Sequence, residues 1–352
     1  MSSPARRYLG LSLLYLFAVG AGSLFKQLGV PLPWMIGPLV LSATVYLSGI
    51  ATAPVPVQTR PLGQMTVAAQ VGLAFSPAAL AALLDLGPLL VGTALISALC
   101  ACVVGIGLSR VAGLRLPQAL LATFPTSPVE ATVIAEKFGC DPAPIVLSQT
   151  VRIASVVVLV PICIYAIDGW PNRDGIAQGG EFDPIGIGLL ALLAITGAVL
   201  FRKLRLSNPY FLGPLVLSAA VAAAGFQPTG FPPPFLAAAQ IVLGTWLGST
   251  FRRELFAEGG RLVVASIASA LLLLAIVSAC AVGLAAASGQ NWEVLVLGAA
   301  PGGVTEMALT AKYLGVDLAL VTAFQLTRIF LFMPNIPWII ALIDRYETRR
   351  GR

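Results

Sequence analysis

The chain has 352 residues, of which 58% are hydrophobic and only 10% charged, with a formal net charge of +6 and a mean hydropathy of +0.92. Soluble domains carry about a quarter charged residues, so a soluble enzyme, a nucleic-acid-binding domain and a disordered tail protein are excluded. A Lys/Arg excess in so apolar a chain is what positive cytoplasmic loops produce.

The first apolar stretch, 8–25, follows Arg6-Arg7 and has the outline of a signal peptide. A second copy of it at 185–200 cannot be one, so a retained helix is expected. Further stretches follow at 33–50, 62–80, 87–109, 117–137 and 143–168. Residues 86–109, 185–201 and 262–288 carry almost no charge and are long enough to cross about 30 Å of hydrocarbon. Cys100, Cys102, Cys140, Cys163 and Cys280 lack ligand spacing, and there is no histidine. Reduced thiols, no metal and no cofactor are expected.

The set of stretches occurs twice. Gly37-Pro38-Leu39-Val40-Leu41-Ser42-Ala43 recurs unchanged as Gly213-Pro214-Leu215-Val216-Leu217-Ser218-Ala219, an offset of 176 residues. At the same offset Gln64, Gly72, Pro125, Glu130, Gln149 and Arg152 match Gln240, Gly248, Pro301, Glu306, Gln325 and Arg328. Two membrane repeats, 1–168 and 185–352, joined by an extracytoplasmic linker over 169–184, are expected.

The fifth stretch of each repeat is interrupted, by Phe124-Pro125-Thr126-Ser127-Pro128 and by Ala300-Pro301-Gly302-Gly303. Such a density of proline and glycine breaks a helix, and at membrane depth the break must line protein or water. If the stretch is a re-entrant hairpin, each repeat has five crossings and the second is inverted. Sixteen of the 21 Lys/Arg then lie inside, three (Lys26, Arg173, Lys312) outside, and Arg152 and Arg328 within helices. If it crosses, the split is ten to nine. The positive-inside bias selects the hairpin. The expected fold is therefore an all-α polytopic membrane protein of two inverted-topology repeats, with both termini cytoplasmic.

Inverted repeats with paired broken helices point to a secondary transporter whose site lies where the breaks meet. A broken helix offers unpaired N–H groups and a positive dipole end, which favour a carboxylate. Thr126, Ser127, Gly302, Gly303 and Thr305 lie at the breaks, hinged on Pro125, Pro128 and Pro301. The hydroxyls can equally serve as helix caps. Glu130 and Glu306 sit where a capping box closes a helix start, or where a desolvated carboxylate carries a coupling proton. Arg152 and Arg328 each follow a glutamine (Gln149, Gln325) by three residues on one helix face. Each arginine either neutralises the glutamate of its own hairpin or grips a substrate carboxylate. Gln64 and Gln240 line the cavity or bond to backbone, and Asp141 and Asp317 read as boundary caps.

These residues describe a secondary transporter or exporter of a small, carboxylate-bearing organic solute, proton-coupled and not an enzyme. Its partners are the lipid bilayer, the solute and protons, with no nucleic acid; symmetry habits alone allow a homodimer. A membrane protein with a regulatory or sensing role is the alternative from another class.

Pro33-Trp34-Met35-Ile36-Gly37-Pro38, Pro128-Val129-Glu130-Ala131-Thr132, Ala300-Pro301-Gly302-Gly303-Val304-Thr305-Glu306-Met307-Ala308 and the run from Asp317 to Arg328 carry a resemblance. Together they resemble the AbrB family of bacterial membrane proteins, over essentially the whole chain. The first copy departs from the Pro-Gly-Gly form, with Pro125-Thr126-Ser127 in its place. The resemblance implies a multi-pass protein of the bacterial inner (cytoplasmic) membrane. Members are often named ammonia monooxygenases, and one is described as a regulator of another gene. Oxygenase chemistry needs metal ligands or a flavin or haem pocket, and this sequence has no histidine and no such motif.

Overall fold

The computed structural model describes residues 4–51, 55–126, 128–169, 183–206, 208–257 and 260–349, and among them the chain is helical with no strand. The expected linker falls largely at 170–182, outside the described residues.

Among the described residues five helices are long and apolar enough to cross a membrane: α1 (Pro4–Gln27), α5 (Gly87–Ala112), α8 (Ala143–Asp168), α9 (Pro184–Lys203) and α13 (Gly260–Ser288). Two bent pairs raise the number to as many as seven. In the first, α3 (Arg60–Gly72) and α4 (Pro77–Asp85) meet at 85°, and in the second α16 (Leu318–Phe332) and α17 (Ile336–Arg349) meet at 51°. The stretch at 62–80 is thus two helices, because Ser76 caps a new start by accepting the amide of Ala79 at 3.2 Å, with Pro77 as its first residue. Three further apolar helices, α2 (Pro33–Leu47), α10 (Pro209–Ala223) and α11 (Pro233–Gly248), are shorter. Leu16 and Phe17 on α1, Leu99 on α5 and Val264 on α13 are exposed, an apolar surface that suits lipid contact.

The chain forms two compact units. The first comprises Met1–Leu86, Pro161–Thr250 and Ala308–Thr322. In it α1 packs on α2, α2 on α11, α9 on α10, and α10 on α3. Close approach through glycine makes this possible. A Cβ on Gly72 would meet Ser218 Cβ at 2.6 Å and the Leu215 carbonyl at 2.7 Å. A Cβ on Gly248 would meet Ser42 Cβ at 2.6 Å and the Leu39 carbonyl. Every residue of the second set lies 176 positions from its counterpart in the first. Leu32 and Asn208, also a matched pair, both take the left-handed region (φ 47) just ahead of Pro33 and Pro209.

The second unit comprises Gly87–Val160, Phe251–Met307 and Ala323–Arg352. It holds α5 and α13, packed on each other, and the broken segments α6 (Leu116–Thr123) with α7 (Pro128–Lys137) and α14 (Trp292–Ala299), which leads into α15 (Val304–Leu314). One core cluster in it joins Ala94 and Ala98 of α5 to Leu120, Leu121 and Phe124, to Ile134 of α7 and to Ile336 and Ile340 of α17. Both α7 and α15 end at a glycine with positive φ, Gly139 at 62° and Gly315 at 73°, where a side chain would be strained.

Candidate functional site

Both breaks fall where proline stops a helix. Phe124 and Ala300, each before a proline, are pushed to extended conformations with ψ of 149° and 133°. The main chain there is released from the helix, so the last carbonyls of α6 and α14 need other donors. Gln149 and Arg152 of α8, and Gln325 and Arg328 of α16, supply them.

Arg152 is 3% exposed and Gln149 fully buried on α8. The Arg152 Nη1 donates to the carbonyls of Ala122 (3.3 Å), Thr123 (2.7 Å) and Phe124 (2.9 Å). The Gln149 Nε2 donates to the Leu121 carbonyl at 2.7 Å and to Thr126 Oγ1 at 2.9 Å. The second repeat builds the same device on α16. Arg328, 2% exposed, donates from Nη1 to the carbonyls of Ala299 (3.0 Å) and Ala300 (2.7 Å), and from Nη2 to Gly302 (3.3 Å). Gln325 Nε2 donates to the carbonyls of Leu297 (2.6 Å) and Ala300 (3.1 Å). Its Oε1 accepts from Arg328 Nη2 at 2.6 Å.

A buried guanidinium costs several kcal/mol of lost hydration. Bonds to a charged donor return about 1.5–3 kcal/mol each, and the cation also meets the negative end of the helix dipole. The pairing is intra-repeat in both cases. Of the two roles open to the arginines from sequence, neither takes up these hydrogen bonds: they go to main-chain carbonyls rather than to a carboxylate. Main-chain groups carry no signal in the sequence, and these carbonyl partners were not legible there.

The remaining residues cluster around the same breaks. Thr126 is buried and joined to Gln149; Pro125 is half-buried and Pro301 buried. Pro128 opens α7, while Ser127 lies outside the described residues. Glu130 and Glu306 are half-buried, each the third residue of its helix, and Thr305 is buried. The Glu306 carboxylate folds back so far that it fills the space a Cβ on Gly303 would need. At Gly302 a Cβ would meet Val156 Cγ1 at 2.8 Å, so the second tip rests on α8 one turn beyond Arg152. Asp141 and Asp317 act as caps, accepting the amides of Ala143 (3.0 Å) and Leu320 (2.9 Å). Gln64 and Gln240 lie in α3 and α11, in the other unit.

Comparison with known proteins matches the family described as "Transition state regulatory protein AbrB" over residues 1–168 and 56–344. A Bacillus subtilis (strain 168) protein named "Uncharacterized protein YhjN" is 27% identical over 366 residues, covering 96% of this chain and 94% of its own length. An Escherichia coli (strain K12) protein named "Putative regulator AbrB" is 23% identical over 330 residues, covering 93% of this chain and 94% of its own.

Proposed function

The chain belongs to the AbrB family, and from that premise we propose that it is a secondary transporter of a small organic solute bearing a carboxylate, coupled to protons. The reading includes two inverted repeats of five crossings and one re-entrant hairpin each, with both termini cytoplasmic. The observation that carries it is the pair of proline-broken helices, each with a buried arginine from α8 or α16 bonded to the carbonyl end of the half-helix before the break and a glutamate at the start of the half-helix after it.

Re-entrance is supported at the open end of the first hairpin. Arg115, ahead of α6, donates to the carbonyl of Phe138, beyond α7, at 3.2 Å, and Gln118 donates to that of Asp141 at 2.8 Å. A segment crossing about 30 Å of hydrocarbon could not bring its two ends together in this way.

The N-terminal amides of α7 and α15 would receive the solute carboxylate. At Gly303 that place is held by the chain's own Glu306 carboxylate. Two anions repel in a dry site, so the solute enters as Glu306 takes a proton and withdraws. Glu130 does the same in the first hairpin. Solute and proton then move together by alternating access around the paired hairpins.

Charge movement on a supported membrane loaded with purified protein tests this, using small carboxylates, amino acids and amines with and without a pH gradient. A carboxylate response that loses its pH dependence in Glu130→Gln and Glu306→Gln is expected. Unchanged flux in both variants overturns the proton role. Silence in that assay and in radiotracer uptake overturns the transporter, and turns attention to the regulator named in the Escherichia coli relative.

A further inference from the structure

Discontinuous-helix transporters hold their coupling cation on unwound carbonyls and on the C-terminal ends of half-helices. Such an end carries about half an elementary negative charge, so it is a natural seat for a cation. In this chain both seats are filled from within. The carbonyls of 121–124 all receive a side-chain donor, Leu121 from Gln149 and the other three from Arg152. In the second repeat Leu297 receives Gln325, while Ala299, Ala300 and Gly302 receive Arg328.

We propose that Arg152 and Arg328 are built-in counter-ions that occupy the two coupling-cation seats, so that Na+ and other alkali cations neither bind there nor drive the cycle. The clause about the cycle rests on the transporter reading; the clause about binding does not. An alkali cation needs several bare oxygens around it, and each guanidinium claims three carbonyls with its own fixed charge. Arginine suits this task better than lysine, because its planar fork reaches several acceptors at once. Each guanidinium is covalently tethered to a helix and almost fully buried, so the cation cannot exchange with solvent as a metal ion would. Arg152 and Arg328 are on this account positioning residues: they hold the break open and neutral while the glutamates handle the mobile proton.

The test is thermal unfolding of the purified full chain in NaCl, LiCl, KCl or choline chloride at equal ionic strength. The wild type should show no cation-specific shift. Arg328→Ala should unfold at lower temperature and recover in part, saturably, with Na+, Li+ or guanidinium but not with choline, urea serving as the control for denaturation by guanidinium. Arg152→Ala should do the same. A purely structural arginine predicts loss without alkali-cation recovery. If Arg328→Ala yields no folded protein in choline, it is purified with Na+ or guanidinium present throughout; monodisperse protein under those ions only supports the proposal, and none under any ion overturns it. A saturable Na+-specific shift in the wild type also overturns it, as does a folded Ala variant with no specific response. In proteoliposomes, wild-type flux should be unchanged when Na+ is replaced by choline, and a loss of flux overturns the second clause. Because unfolding is read without transport, absence of all flux would count against the transporter reading and leave the cation seats to be judged separately.

Discussion

Gly197 of α9 and Gly213 of α10 face each other so closely that a Cβ on either would fall on the other's carbonyl oxygen. Their matched pair is Ala21 and Gly37, where a Cβ on Gly37 would meet the Ala21 carbonyl at 2.7 Å. Backbone cannot give way as a flexible side chain can. Gly213→Val is expected to cost about 1–3 kcal/mol through overpacking, read as a lower unfolding temperature in detergent. An unchanged temperature would mean that α9 and α10 separate freely.

Gln149 and Gln325 differ at their side-chain oxygens. Gln325 Oε1 accepts from Arg328, whereas Gln149 Oε1 has no hydrogen-bond partner among the described residues. Gln325→Leu therefore removes an acceptor from a buried cation as well as a donor from two carbonyls. It should destabilise by about 1–3 kcal/mol more than Gln149→Leu, the cost of one further unsatisfied buried group. Equal losses from paired unfolding curves would contradict this.

Cys140, in the turn between α7 and α8, has a thiol held above its usual range, first by burial; Arg115 pulls it down, and Asp344 and Glu347 push it up. Only the thiolate reacts, so a raised value leaves less of it at a given pH. Maleimide labelling of Cys140 is expected to be slow at neutral pH and to climb only above the ordinary thiol range of about 8.5. Mass spectrometry of a single-cysteine variant reads the profile. A midpoint at or below that range would refute the burial account.

Asp183 opens α9 by accepting the amides of Ile185 and Gly186, each at 3.0 Å. Its carboxyl is held below the usual range, chiefly by the Gly186 amide and also by the Thr229 hydroxyl. A depressed value adds stability above the unfolded value of about 3.9, and that contribution fades as pH falls through the folded value. Asp183→Ala should thus lower the unfolding temperature at neutral pH, with the gap to wild type closing in acid. A gap that persists at low pH would place the effect elsewhere.

Proline placement made the breaks legible in the sequence, and α6 and α14 do stop where Phe124-Pro125 and Ala300-Pro301 stand. The roles of Asp141 and Asp317 were equally legible, because a cap acts on amides a few residues away. The partners of Arg152 and Arg328 were not, because a carbonyl belongs to every residue and only the fold selects which ones are released. Length was a poorer guide than composition. Helices α2, α10 and α11 have 15, 15 and 16 residues, which at about 1.5 Å each falls short of the hydrocarbon thickness that their apolar character implied.

Helices α6 and α14 are started differently. Asn291 caps α14 locally, its Oδ1 accepting the amide of Glu293 at 2.7 Å. At the matched position stands Arg115, whose side chain offers no cap. There the Leu116 amide is met by Glu347 at 3.1 Å and Arg115 itself by Asp344 at 2.6 Å, both from α17. Helix α17 therefore bears directly on the start of α6. A fluorophore placed at the exposed Arg349 would report on the start of α6 through α17, from a point more than two hundred residues further along the chain.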